Sequence, residues 1–184
     1  MKISADFTRL PDKYGKFADD SHKTDGYPTT SFPFYIDSMN SAVRYIHLEF
    51  VDDDAIPVCG HQWIHWAVAN IPVDALMFDF NDSHALQIPE DFSRQLPSLI
   101  PEAVQGRNSS WGKIAQQTNP SVTMRYNGPQ PPDKDHDYKL CVYGTAQPFK
   151  ELSEGFYLNE LRNLVFRTDA VIDYGEIYFS SRAH

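Results

Sequence analysis

Hydrophobic and polar positions alternate most clearly in AVRYIHLEFV, Ala42 to Val51. There Arg44, Ile46, Leu48 and Phe50 fall on one parity, and Val43, Tyr45, His47, Glu49 and Val51 on the other. A period of two in a run rich in β-branched and aromatic side chains predicts a strand, which enters the acidic stretch DDDAIP. The next apolar run is HQWIHWAVANIP, His61 to Pro72. In a helix, His61 and His65 would share one face a single turn apart, within reach of one metal ion. In a strand they share a face but stand roughly 13 Å apart at about 3.3 Å per residue, too far to chelate together. WIHWAVAN is short, is closed by Pro72, and carries Trp, Ile and Val that suit a pleated surface, so the strand is favoured.

Further along, VTMRY (Val122 to Tyr126) and DYKLCVYG (Asp137 to Gly144) read as strands flanking GPQPPDKDH, which proline and glycine hold out of regular structure. In the second of these, Tyr138, Leu140 and Val142 share a face, and His136 joins them at the strand's mouth. FYLNELRNLV predicts a helix, with Leu158, Leu161, Leu164 and Val165 at helical spacing and Glu160 on the polar side. A short helix near PEDFSRQL has Pro89 placed to start it and Pro97 to end it. AVIDYGEIYF, from Ala170, forms a last strand, and no internal repeat or low-complexity tract interrupts the series. Thirteen prolines and 14% aromatic residues fit the same expectation: an all-β, β-rich domain with short peripheral helices.

Length and charge narrow the partners. The 184 residues carry no Gly/Ser-rich linker and read as one domain over 1–184. A formal net charge of −9 disfavours nucleic acid and anionic membrane surfaces as general partners, while leaving room for a local anion site. Two cysteines, Cys59 and Cys141, are too few for a secreted disulfide framework, and reduced thiols are expected. The N-terminal segment has no apolar core of signal-peptide length and no stretch approaches the ~20 apolar residues of a membrane span. A soluble, cytoplasmic protein is expected.

Candidate chemistry collects at predicted strand ends. Asp53, His65 and His136 permit three functions: a two-histidine, one-carboxylate metal site, acid–base catalysis, or recognition of a phosphate-like anion. Spacing alone does not choose among them, and ordinary hydrogen-bonded strand-end residues would look the same. Cys59, His61 and His65 give C-x-H-x-x-x-H, yet strand geometry spreads these groups and no second cysteine cluster completes a tetrahedron, so no metal is expected. Ser109 and Ser110 lie near glycines without a G-x-S-x-G elbow and read as solvating a turn, and no phosphate-cradling P-loop occurs. The run Asp52–Asp54 lacks calcium-loop spacing and reads as a solvated turn. Trp63 and Trp66 sit on opposite parities, so one is expected in the core and the other against a pocket. Trp63 shares parity with His65, which would set an aromatic wall beside the imidazole.

Four segments in order, VDDDAIP from Val51, WIHWAVANIP from Trp63, AVQGRN from Ala103 and GPQPPDKDHDYKLCVYG from Gly128, resemble the phosphatidylethanolamine-binding protein family in its bacterial, Raf-kinase-inhibitor-like branch. The resemblance runs from about Phe17 to Arg182. It implies a large antiparallel sheet packed on a second sheet, and a small anion pocket for phosphate or a phosphorylated headgroup. It also implies a ligand-binding set: Asp53 as the aspartate opening D-P-D-x-P, His65 as the pocket histidine, Trp63 as the wall, Pro131 and Pro132 shaping the loop, and His136 and Tyr138 from G-x-H-R-Y. In this alignment Ala55 replaces the second aspartate and Asp137 replaces the arginine, as though one ion pair were absent as a unit. Strand parity turns Asp137 away from His136 and Tyr138.

The resulting expectation is a non-enzymatic binding protein that needs no cofactor and holds a small anionic ligand through ring N–H donors of His65 and His136 and the Tyr138 hydroxyl. Affinity should rise towards pH 6 as the rings gain charge. The rival from the enzyme class is a hydrolase of small phosphoesters with a histidine general base. The resemblance also raises the regulation of a partner protein such as a kinase, and a homodimer.

Overall fold

The computed structural model describes residues 1–78 and 85–184. Its first half contains β1 (Lys2–Ser4), β2 (Lys23–Thr24), β3 (Tyr27–Pro28), β4 (Phe34–Asp37), β5 (Tyr45–Asp52), α1 (Ile56–Cys59), β6 (Trp63–Pro72), β7 (Met77–Phe78) and β8 (Leu86–Ile88). The second half continues with α2 (Phe92–Leu99), β9 (Val104–Gln105), α3 (Pro120–Thr123), β10 (His136–Thr145), α4 (Leu158–Arg167) and β11 (Val171–Ser181). The longest strands form an antiparallel five-stranded sheet in the order β11-β10-β5-β6-β9. A four-stranded antiparallel sheet, β1-β4-β8-β7, packs against one face of it. The architecture is therefore the β-rich pair of packed sheets with short helices that the sequence predicts.

The core lies where the two sheets face each other. Leu48 and Phe50 of β5, Leu140 and Val142 of β10 and Phe179 of β11 meet Phe34, Ile36 and Ile88 of the smaller sheet, all buried. At about 1.5–3 kcal/mol for each large apolar side chain removed from water, this interface supplies the main driving force. Phe32 sits at its centre, edge-on to Phe50 at 5.0 Å and Phe179 at 4.9 Å. The opposite face of the large sheet is covered too. Leu158, Leu161 and Val165 of α4 bury against Val51, Ala67 and Tyr143. There the buried Glu49 takes a bidentate Arg162 guanidinium from α4, at 2.8 and 3.0 Å, which leaves neither charge alone.

Three local readings are corrected. VTMRY is not a strand: Val122 and Thr123 close α3, which Asn119 caps by accepting the Ser121 N–H and Pro120 opens. Side chains then satisfy the segment's backbone in place of a ladder. Asn108 donates to the carbonyls of Val122 and Arg125, and Ser93 Oγ accepts from the Tyr126 N–H. Second, Pro97 lies inside α2, which runs on to Leu99. The carbonyl that Pro97 cannot engage, that of Ser93, accepts instead from Gln105 Nε2 at 2.9 Å. Third, Ser110 is fully buried and donates to Asn108 Oδ1, so it does not solvate its turn. Among the described residues no helix is long and apolar enough to cross a membrane.

Candidate functional site

HQWIHWAVANIP is answered by a strand with a defect. β6 begins at Trp63, leaving His61 outside and exposed. Opposite β5, Phe50 pairs with Trp66 and Val51 with Ile64, so His65 is an extra residue in the ladder. Such a bulge re-aims side chains. Trp63, His65 and Trp66 consequently share one side of the sheet, whereas strict alternation would have parted the two tryptophans. Trp66 enters the core, and Trp63 and His65 line a cavity of about 210 Å³.

That cavity lies where β5, β6 and β10 end together. Trp63, His65, Pro131, Pro132, His136 and Tyr138 all line it, so six of the seven residues named from sequence converge. The seventh, Asp53, does not. Its exposed carboxylate accepts from Gln62 Nε2 at 2.5 Å, and Gln62 in turn accepts from Arg162, on the α4 side of the sheet. Asp52 takes its place. It is the last residue of β5, paired with Trp63 on one side and Tyr138 on the other, and it is buried. The signal was present in the sequence: Asp52 continues the parity of Leu48 and Phe50, and Asp53 has the opposite one. With the D-P-D-x-P frame moved back by one, Asp54 stands at the second aspartate's position and Ile56 at that of the closing proline. Asp54 Oδ2 accepts the backbone N–H of Asp137 at 3.0 Å.

The histidines at and near the site differ in protonation because their partners differ. His65 Nδ1 lies 2.5 Å from the Asn127 carbonyl. A carbonyl only accepts, so Nδ1 carries the hydrogen and Nε2 keeps its lone pair. Burial lowers the His65 pKa to about 4, so the ring is neutral at ordinary pH. His136 has a carboxylate at each nitrogen, Asp52 at 2.8 Å from Nδ1 and Asp133 at 2.9 Å from Nε2. Burial opposes its charge, yet the two carboxylates outweigh that and hold its pKa above the ordinary value. Tyr138, buried and close to the Asp52 charge, has its phenol pKa pushed far up and stays protonated. His65 therefore offers an acceptor, which corrects the expectation of an N–H donor there.

Three polar atoms at this cavity are buried and have no geometric hydrogen-bond partner among the described residues: His65 Nε2, Asn127 Oδ1 and Tyr138 Oη. The His65 ring stands edge-on to Tyr138, with centroids 5.1 Å apart. Asn127, invisible to pattern reading, arrives on the segment after α3 and is fixed by its N–H to the His65 carbonyl at 2.9 Å. No lysine or arginine is among the cavity's described lining residues, and no group of three His, Cys, Asp or Glu among the described residues is placed to hold a metal ion.

Comparison with known proteins bears on the fold and the family. The chain is 43% identical over 152 residues to the uncharacterized protein YxkA of Bacillus subtilis (strain 168), covering 83% of this chain and 82% of that one. Its fold matches crystal structures of E. coli YbcL, described as a member of the mammalian PEBP family, and of the PEBP homolog CT736 from Chlamydia trachomatis. For YbcL the TM-score is 0.70 at 19% identity, covering 98% of this chain and 97% of that one. For CT736 the TM-score is 0.67 at 20% identity, covering 97% and 95%. At such identities the likeness is one of fold. The family model described as phosphatidylethanolamine-binding protein matches residues 3–176, which takes in β5, β6 and β10, the strands that end at the cavity, and all of the rest but the outer ends of β1 and β11. By that match and its packed-sheet fold, the chain belongs to the phosphatidylethanolamine-binding protein family.

Proposed function

We propose that the protein is a non-enzymatic binding protein whose cavity holds a phosphate-type group, free or as a phosphorylated headgroup, with one proton still on its oxygens. The observation that carries this reading is the trio of buried, unpartnered polar atoms at one cavity. Buried polar groups are almost always hydrogen-bonded, so three together call for a ligand with matching donors and acceptors. A singly protonated phosphate has both. Its P–O–H donates to His65 Nε2 or Asn127 Oδ1, and an anionic oxygen accepts from the Tyr138 hydroxyl. Trp63 supplies the flat wall.

Affinity still rises as the pH falls through about 6, the range of a phosphomonoester's second ionisation, but the proton responsible is the ligand's. His65 stays neutral there and His136 is already charged. Catalysis is the weaker reading. A base with a pKa of about 4 abstracts protons poorly at neutral pH, and both nitrogens of His136 are engaged by carboxylates.

The test is Tyr138→Phe. It deletes a buried hydroxyl that makes no geometric hydrogen bond among the described residues and only feels the nearby Asp52 charge, so thermal stability should change little, while inorganic phosphate should bind about tenfold more weakly. NMR of the histidine ring nitrogens during phosphate titration reads the site directly. Saturating phosphate that disturbs neither the His65 nor the His136 ring would remove the reading.

A further inference from the structure

The two carboxylates on His136 are not equivalent. The Asp52 side chain is 5% exposed and Oδ1 also accepts the Ala55 N–H, so it is built into the end of β5. The Asp133 side chain is 51% exposed and stands on the loop after β3's neighbour Gly128, directly following the cavity residues Pro131 and Pro132. That loop is anchored elsewhere. Asp135 pairs with Arg9 at 2.9 Å and accepts the Ala183 N–H at 2.9 Å, and Lys16 Nζ donates to the Pro131 carbonyl at 3.2 Å. A change of rotamer at Asp133 therefore frees the Nε2–H of a buried, cavity-lining imidazolium without moving the loop.

Resting on the binding function proposed above, we infer that the Asp133 carboxylate is a stand-in for the ligand, holding the His136 Nε2–H until a monoanionic oxyanion takes it over. Charge supports the exchange. Asp52 and His136 form a buried neutral pair, and Asp133 adds one negative charge at the rim. A monoanion that replaces Asp133 on Nε2 leaves the local charge unchanged and keeps a charge-assisted hydrogen bond on the ring. A dianion would add a second negative charge beside Asp52, with no lysine or arginine in the lining to offset it. The released carboxylate is already half exposed and returns fully to water, which limits the cost of leaving the ring. Asp133 thus selects the ligand's charge and sets a threshold for its affinity.

The experiment compares the full chain with Asp133→Asn and Asp133→Ala, titrating inorganic phosphate at pH 6.0 and 7.5 by calorimetry and by histidine ring NMR. Asparagine keeps the shape and loses the charge, and the position is exposed enough to leave the fold intact in both variants, which ring-proton dispersion verifies. The expected result is phosphate binding about fivefold tighter in both variants, the scale of one exposed ion pair, together with a lowered His136 pKa. The preference for pH 6.0 over pH 7.5 should persist, because a His136 of lowered pKa loses its charge at the higher pH. Unchanged or weaker binding in both variants, with phosphate still shifting the His136 ring, would overturn this inference and leave the binding function standing. Phosphate that moves no cavity histidine in any of the three proteins would overturn both.

Discussion

Residue identity matters here chiefly through hydrogen-bond partners that sequence does not display. His47 is buried, accepts the Asn70 N–H at Nδ1 and faces Thr145 Oγ1 with Nε2, and burial lowers its pKa to about 3. His65 falls to about 4 for the same reason. Both values lie below the ~6.5 of an unfolded histidine, so between pH 6.5 and 4 the unfolded chain takes up protons that the folded one refuses. Stability must then fall on acidification, by up to roughly 1.4 kcal/mol per pH unit for each ring. His136 has the opposite sign. Its pKa is raised, so its contribution is complete below pH 6.5 and is lost only as the pH climbs through the folded value. It cannot offset the acid loss. Urea midpoints at pH 6.5, 5.5 and 4.5 should therefore decline, and a flat series would contradict the neutral assignment of both rings. His65 and His136 were legible as candidates because they fall at predicted strand ends, and Tyr138 through the family resemblance. Their charges were not, since those depend on contacts with Asn127 and Asp52 from distant segments, and with Asp133 three residues before His136 in a loop of no regular period.

At the scale of elements, periodicity placed β5, β6, β10, β11 and α4 well, because each buries apolar side chains on a regular spacing. It misread the segment from Val122 to Tyr126, where capping asparagines and Ser93 outcompete a β-ladder. The bulge at His65 was equally hidden, since an extra residue leaves no mark in composition. The pocket depends on a close approach as well. A Cβ on Gly128 would stand 2.1 Å from the Tyr14 carbonyl oxygen, which is backbone and cannot yield. Gly128→Ala should push this strand-like segment outward, breaking the Gly128 N–H to Pro28 carbonyl bond of 2.8 Å and loosening Asn127 from His65. We expect a loss of about 2–3 kcal/mol in chemical denaturation, with phosphate binding lost alongside it. A variant of unaltered stability would show that the packing around Tyr14 is looser than described.

For the whole molecule, apolar groups on both faces of the five-stranded sheet make it the shared wall of two cores, one against the smaller sheet and one under α4. Neither layer buries its apolar face without that sheet. We therefore expect the chain to unfold as one domain, with the tryptophan fluorescence and far-UV transitions superimposed, and separated midpoints would argue for two units. The alternation of apolar residues was enough to determine a β-rich protein, because a period of two in Ile46, Leu48 and Phe50 can bury one face only in a sheet, while the second packed sheet followed from the family resemblance. Alternation also put Tyr138 and His136 on one face of one strand. What only the tertiary structure decided is the electrostatic character of the cavity. Protonation and hydrogen-bonding capacity belong to pairs of atoms in contact, and the partners of His65 and His136 sit 62 and 84 residues away along the chain. No local pattern encodes a contact of that span, so the cavity became an acceptor-bearing, singly charged site only once the strands and the proline loop were folded together.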